Sequence, residues 1–362
     1  MKRILFLADG SSSHTIKWVS AIHGRDVEIF LFSLRDISPA LKELGIGSFS
    51  ADTLVKSNAS AFDKSTYLKV LPQLKKTIKS FQPDLIHVHY ATSYGLLAYL
   101  SRFRPYVVSV WGSDLLVFPN RSYLHKTILT MILKRSKSVF SSSALMMEKL
   151  KGFGVAGKSK LIPFGIDLTH FRPHSKPELS EGIRFVIVKS LEHTYGIDIA
   201  VLAFVNLLNQ HPSLKCTLTV VGGGAEETNY KKLAGKYLDR GISFLGRKQP
   251  GEIPEILNQN HVFINISRSE SFGVSVLEAE ACGLAVIVSN KGGLPETMEP
   301  NKTGIMIEEL TATRCERAMK YYIDHPEMIQ KMGNEGRAFV ENHFDFKLNV
   351  QQQLAAYREI LG

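Results

Sequence analysis

The chain has 362 residues, 44% of them hydrophobic and 22% charged, with a formal net charge of +10. That balance is of the ordinary globular kind and the length suits two domains, while no apolar run approaches the roughly 18 residues that a membrane span requires. The positive charge is uneven: residues 1–170 hold 23 lysines and arginines against 11 acids (+12), and the rest hold 21 against 23 (−2).

In chain order, apolar β-rich runs at residues 4–8, 27–32, 85–89, 107–111 and 138–141 alternate with helical patterns, which predicts a doubly wound parallel sheet. The first run is too short for a signal peptide and reads as a buried strand. Asp9, Gly10, Ser11, Ser12, Ser13 and His14 follow it, a small hydroxyl-rich loop opening a helix. Such a loop can cradle an anion on backbone N–H groups or serve as a helix cap, and the two are compatible. His87 and His89 face one way at a strand end; the pattern fits hydrogen-bonded structural histidines, and no third metal ligand is evident.

Two stretches hold much of the basic charge: Lys56, Lys64, Lys69, Lys75, Lys76 and Lys79, then Arg121, Lys126, Lys134, Arg135 and Lys137, the second without an acid. Leu124, Ile128, Met131 and Ile132 recur there at helical spacing. They suit a helix lying on an anionic bilayer surface or a domain helix with its stripe in the core. The half-molecule asymmetry favours a membrane surface as partner. Nucleic acid is not expected, because neither a recognition motif nor interleaved aromatics accompany the charge.

A polar, proline- and serine-containing stretch at 173–182 breaks the pattern and reads as a linker. Runs at 185–189, 217–221, 242–245, 262–266 and 286–289 then restart it, predicting a second sheet. Gly222, Gly223 and Gly224 permit close backbone approach or a plain turn. Cys216, Cys282 and Cys315 are odd in number and widely spaced, which predicts neither a disulfide frame nor a zinc site and places the chain in a reducing cytoplasm. Neither Gly-x-Gly-x-x-Gly nor a Walker sequence occurs, so a dinucleotide or ATP site lacks support.

The most informative segment runs Ser-Glu-Ser-Phe-Gly-Val-Ser-Val-Leu-Glu-Ala-Glu-Ala-Cys-Gly and contains Glu270 and Glu278. A buried strand precedes it and helical spacing follows Gly273, making a strand-loop-helix join whose first N–H groups lack partners and favour an anion such as phosphate. Glu270 lies in the loop and Glu278 more than a turn into the helix, so both can accept from sugar hydroxyls. A diphosphate between two hydroxyl-rich groups is a nucleotide sugar. The plain alternative is an acid favoured by the helix dipole and a solvated helix residue.

The segment 246–304, with its Phe-Leu-Gly, Glu-Ser-Phe-Gly, Leu-Glu-Ala, Gly-Gly-Leu-Pro-Glu and Thr-Gly steps, resembles the retaining GT-B glycosyltransferases of family 4 type, the glycosyl transferases of group 1. Ile-Pro-Phe-Gly-Ile-Asp with Phe171-Arg172-Pro173 upstream and the helices of 311–361 downstream extend the resemblance nearly end to end. It implies an α/β fold of GT-B architecture, two doubly wound Rossmann-like domains facing across a cleft. Residues 1–172 would form the acceptor-side domain and 183–343 the nucleotide-sugar domain, with the helix of 344–362 packing back on the first.

The resemblance also implies transfer with retention from a UDP- or GDP-sugar to a saccharide or lipid-linked saccharide, at the inner face of the cell membrane in polysaccharide assembly. In its terms Glu270 orients the donor sugar and Glu278 the ribose, Ser271, Phe272, Gly273 and Val274 bind the donor, and the N–H groups of Gly273 and Val274 hold its distal phosphate. Gly246 and Arg247 lie at the nucleotide base. His89 matches the second histidine of an acceptor-side His-x-His strand end. In Trp111-Gly112-Ser113-Asp114 tryptophan replaces the usual histidine, and Asp114 can serve an acceptor hydroxyl or cap a helix.

The usual Arg and Lys at the diphosphate are replaced by Ser190 and Tyr195. Lys189 supplies one cation, and Arg268 or Arg247 a second. No cofactor or metal is expected, since Asp-x-Asp is absent and helix N–H groups with a lysine can carry the developing charge. Two other classes remain: a noncatalytic sugar-nucleotide-binding relative with a regulatory or scaffold role, and a phosphorylase or sugar-nucleotide epimerase.

Overall fold

In the computed structural model, which describes residues 1–52 and 64–362, internal contacts divide the chain into unit 1 (1–163 with 349–362) and unit 2 (164–348). Lys56 of the first basic stretch lies outside the described residues, as does the side chain of Lys64.

Unit 1 is built on β1 (Lys2–Leu7), β2 (Val27–Ser33), β3 (Gly47–Ser50), β4 (Leu85–His89), β5 (Tyr106–Val110), β6 (Ser138–Ser141) and β7 (Ser159–Leu161). All pair in parallel, in the order β3-β2-β1-β4-β5-β6-β7. Parallel strands need crossovers that cover both faces, and β4, β5 and β6 are accordingly buried at every position. That is why they read in the sequence as continuous apolar runs. The Tyr106 hydroxyl donates to the Ile132 carbonyl at 2.7 Å, fastening the helix Tyr123–Arg135 to the sheet.

From Asn349 onward the last helix, Phe346–Leu361, belongs to unit 1. Asn349 Nδ2 donates to the Pro163 carbonyl (3.0 Å), and buried Tyr357 places its ring 5.5 Å from that of His87. The chain's end thus groups with the first unit from residue 349.

Unit 2 is built on β8 (Ile183–Val188), β9 (Cys216–Val221), β10 (Ile242–Phe244), β11 (Val262–Asn265), β12 (Ala285–Ser289) and β13 (Gly304–Ile307), in the order β10-β9-β8-β11-β12-β13, again parallel. Its core joins the sheet to the helices Ile197–Gln210 and Ala312–Asp324. In the latter Cys315, Ala318, Met319 and Tyr322 are buried, the i, i+3, i+4, i+7 stripe of an amphipathic helix. All three cysteines are free, Cys282 and Cys315 within the core.

The stretch 173–182 is not an extended linker. The His174 N–H donates to Asn258 Oδ1 (2.8 Å), Asn258 Nδ2 donates to the Arg172 carbonyl (3.0 Å), and the Lys176 ammonium donates to the Gly283 carbonyl. Its composition records the lack of a long regular element, but side chains of unit 2 satisfy its backbone, and the unit begins at Phe164.

In each sheet the strand order reverses once, between β1 and β4 in unit 1 and between β8 and β11 in unit 2. Loops leaving the carboxyl ends of those two strands part to opposite faces and leave a crevice, the usual ligand site of such sheets.

Candidate functional site

In unit 2, β8 runs into Lys189 and β11 into the loop that carries Glu270. Their side chains meet: Lys189 Nζ lies 2.5 Å from Glu270 Oε2, with side-chain exposures of 16% and 13%. The lysine ammonium also lies 4.8 Å from the centre of the Tyr195 ring, a cation–π contact. Tyr195, at the position where a lysine is usual, therefore supports the neighbouring cation without being one. Glu270 Oε2 is buried and has no hydrogen-bond partner, so its contact with the lysine is an ion pair.

Backbone contacts fix these loops. A Cβ on Gly222 would fall 1.8 Å from the Lys189 carbonyl oxygen, so only glycine admits the strand-end crossing that places the lysine. Behind Glu270, the Gly293 N–H donates to the Glu270 carbonyl (3.0 Å), and a Cβ on Gly292 would lie 1.9 Å from that oxygen. Ser271 is half-buried.

The Phe272 side chain is core, 5.7 Å from Phe344 and 6.5 Å from Phe164 between ring centres. Expected as a donor-binding residue, it instead anchors the loop, because an apolar ring gains more from burial than from a polar ligand. Gly273 (φ 118°) then opens the helix Val274–Ala281 with no side-chain cap. Among the described residues the N–H groups of Gly273, Val274 and Ser275 have no hydrogen-bond partner, the first intrahelical bond of this turn being Val276 N–H to the Gly273 carbonyl at 3.0 Å. Half-buried Glu278 sits one turn along.

The two arginines separate. Arg268, expected as a cation for phosphate, forms a two-pronged pair with Asp198 (Nη1–Oδ1 2.8 Å, Nη2–Oδ2 2.6 Å) and donates to the His193 carbonyl at 2.6 Å. The guanidinium fork matches a carboxylate in the first turn of helix Ile197–Gln210, and the pair holds the Asp198 carboxyl below its ordinary range despite burial. Arg268 therefore ties the 193–198 loop to the Glu270 loop. Exposed Arg247 has no carboxylate partner among the described residues. Its Cγ would lie 3.0 Å from a Cβ on Gly223, and the Gly246 carbonyl accepts from the Gly222 N–H (2.9 Å), which joins this strand end to that of Lys189.

Unit 1 gathers its expected residues differently. Asp9 Oδ1 accepts from the Ser11 N–H (2.9 Å) and hydroxyl (2.7 Å), and the Gly10 N–H donates to Ser33 Oγ (2.9 Å). Ser12 precedes helix Ser13–Ile22 without capping it through its side chain. The rings of His14 and His89 lie 5.6 Å and 4.6 Å from that of Trp111, so loop, strand end and tryptophan form one cluster.

Burial, with Lys17 nearby, lowers the His14 pKa to about 4, and burial, with His87 and His14 nearby, holds His89 well below the ordinary range. Both are neutral at pH 7. His89 is 2% exposed and its Nδ1 has no hydrogen-bond partner, so it underlies Trp111 without meeting solvent, contrary to a direct catalytic contact. His87 bonds Ser109 Oγ (2.8 Å) and the Tyr357 hydroxyl and is structural.

Asp114 is corrected more firmly. Fully buried, it accepts from the N–H groups of Ala91 (2.8 Å), Gly112 (2.9 Å) and Trp111 (3.1 Å). A carboxylate so occupied joins two strand-end loops and does not meet solvent. Among the described residues no group of three or more His, Cys, Asp or Glu side chains is assembled as a metal site.

Residues 172–339 match the family described as glycosyl transferases group 1, and residues 3–143 match glycosyl transferase 4-like, one match falling on each unit. Both matches are to glycosyltransferase families, and residues 172–339 are similar to those of group 1. The chain is 25% identical over 169 residues to the phosphatidylinositol N-acetylglucosaminyltransferase gpi3 subunit of Schizosaccharomyces pombe, across 46% of its own length and 36% of that protein's. It is 23% identical over 292 residues to the N-acetyl-alpha-D-glucosaminyl L-malate synthase of Bacillus anthracis, across 77% and 75% of the two chains. The chain thus spans about a third of the first relative and three quarters of the second.

Among solved structures, Anabaena Alr3699/HepE in complex with UDP-glucose superposes with a TM-score of 0.75 at 19% identity over 99% of this chain and 100% of that one, establishing the GT-B fold. Asp198 carries little signal in the sequence, because its place in a helix's first turn marks it only as a favoured acid.

Proposed function

We propose that this glycosyltransferase transfers a sugar, with retention at the anomeric carbon, from a UDP- or GDP-sugar to a saccharide or lipid-linked saccharide in cell-surface polysaccharide assembly on the cytoplasmic side of the membrane. The observation that carries the reading is the Lys189–Glu270 pair beside the uncapped start of helix Val274–Ala281 at the β8/β11 switch point. The donor's distal phosphate takes the N–H groups of Gly273 and Val274 together with Lys189, Arg247 lies toward the nucleotide, Glu270 accepts from sugar hydroxyls and Glu278 from the ribose. Anabaena Alr3699/HepE, solved with UDP-glucose, is consistent with such a donor.

In the transfer the bond from the anomeric carbon to the diphosphate oxygen breaks, and the acceptor oxygen bonds the same carbon on the same face. The acceptor's proton passes to the departing diphosphate. N–H dipoles and Lys189 stabilise the developing charge, so the rate is expected to persist in EDTA.

The test is Glu270→Gln. Transfer falls on the order of a hundredfold or more, while stabilisation of the fold by UDP or GDP in a thermal-shift assay is retained. Equal losses in both would reduce Glu270 to a binding or structural residue. A second reading, a noncatalytic sugar-nucleotide-binding relative, is favoured by Tyr195 at the lysine position and by Arg268 being held by Asp198. Mass-spectrometric detection of a transferred sugar separates the two.

A further inference from the structure

The acid-free stretch between Asp114 and Glu148 contains the helix Tyr123–Arg135, preceded by the turn Phe118–Asn120. Its apolar stripe does not act as one surface. Ile132 is fully buried and Ile128 packs against the core, together with buried Leu129 and Leu133. Leu124 and Met131 instead remain 52% and 41% exposed, and Tyr123 and Val117 are 86% and 49% exposed.

At 100° per residue Tyr123, Leu124, Lys126, Thr127, Met131 and Lys134 share the side opposite that core contact. Arg121, Lys126 and Lys134 are exposed and have no carboxylate partner among the described residues. The tip is buried only in part: Pro119 is buried and the Phe118 ring packs 4.8 Å from that of His125, while Val117 and Tyr123 on either side are exposed. Ser122 Oγ accepts from the His125 N–H at 3.4 Å, so the exposed end is a capped helix start.

We infer that Val117, Tyr123, Leu124 and Met131, with Arg121, Lys126 and Lys134 around them, form the surface by which unit 1 rests on an anionic phospholipid bilayer. Apolar and tyrosyl side chains enter the headgroup boundary while the cations meet anionic headgroups, a combination that a purely electrostatic or purely apolar partner would not need. The occupant is a lipid surface rather than an acidic protein or nucleic acid, because large apolar side chains interleave the charges where a polyanion would require polar contacts. No helix among the described residues is long and apolar enough to cross a membrane, so the contact lies on the bilayer. The inference deepens the reading of a lipid-linked acceptor, yet it is measured without donor or acceptor, so either can fail while the other stands.

The full chain is sedimented with phosphatidylcholine vesicles, with and without phosphatidylglycerol, at low and high salt. Binding is expected to need the anionic lipid and to be lost at high salt. Arg121→Ser with Lys126→Ser should lower the partition coefficient on the order of twentyfold. Tyr123→Ser with Leu124→Ser should lower it roughly tenfold at unchanged charge. Lys232→Ser with Lys331→Ser removes the same charge from exposed positions of unit 2 and should bind as the parent does. No binding of the parent chain to anionic vesicles overturns the inference. So does equal binding by the tip variants, or equal loss in the unit 2 control.

Discussion

At the β1/β4 switch point of unit 1, Asp114 reaches in from the segment after β5, fully buried, and accepts from three backbone N–H groups, with neutral His89 beneath Trp111. At the β8/β11 switch point of unit 2, Glu270 is partly exposed and meets a single lysine, which itself rests against an aromatic ring. The two sheets reverse alike, but the carboxylates beside the two switch points have different partners. Backbone donors cannot leave, so Asp114 holds a loop. A lysine side chain can exchange its partner, which is what the proposed function asks of Lys189 at a phosphate and of Glu270 at sugar hydroxyls. Where a buried acid's donors come from, more than its place in the fold, separates a strut from a binding group.

Lys189→Met tests the comparison hardest. It removes the cation and leaves Glu270 unpaired, and UDP or GDP affinity by calorimetry should fall on the order of ten- to a hundredfold. Unchanged affinity would show that the pair is only structural. Asp114→Asn, the matching change in unit 1, replaces an acceptor by a group that points N–H toward N–H. It should cost about 2 kcal/mol in urea unfolding and leave nucleotide affinity of the folded protein unaltered.

The smallest effect concerns a third kind of carboxylate. Glu280 is fully buried, and burial raises its pKa well above the ordinary 4.5. The folded state then holds the proton more tightly than the unfolded state, so stability falls as pH rises from about 4.5 toward the raised folded value. Glu280→Gln should abolish that fall, gaining on the order of 1 kcal/mol over the parent at pH 8 and little at pH 4 in paired thermal or urea melts. A parallel loss with pH in both proteins would show that this acid is not its source.

Much of the fold was legible because buried parallel strands are written as unbroken apolar runs: β4 and β6 fall on the expected residues, and the other interior strands within a residue or two. The edge strands β3, β7 and β13 were not anticipated, since three or four residues at a sheet margin carry little periodic signal. The strand-loop-helix join at Gly273 was legible too. Arg268 was not, because nothing local shows that a cation two residues before Glu270 will find Asp198 on another helix. The stripe Leu124, Ile128, Met131 and Ile132 likewise gave the helix but not its orientation, which packing decided by burying Ile132 and leaving Leu124 outside.

The order of residues by itself determined two alternating α/β sheets, glycines at the strand ends and an acid in the loop before a helix, because these depend on period, backbone freedom and chain proximity. Only the tertiary structure decided which charges meet: Lys189 with Glu270, Arg268 with Asp198, Asp114 with three peptide groups. The physical reason is that partners distant in sequence are chosen by the register and crossover of strands, and an ionic group's role follows from its partner and its burial.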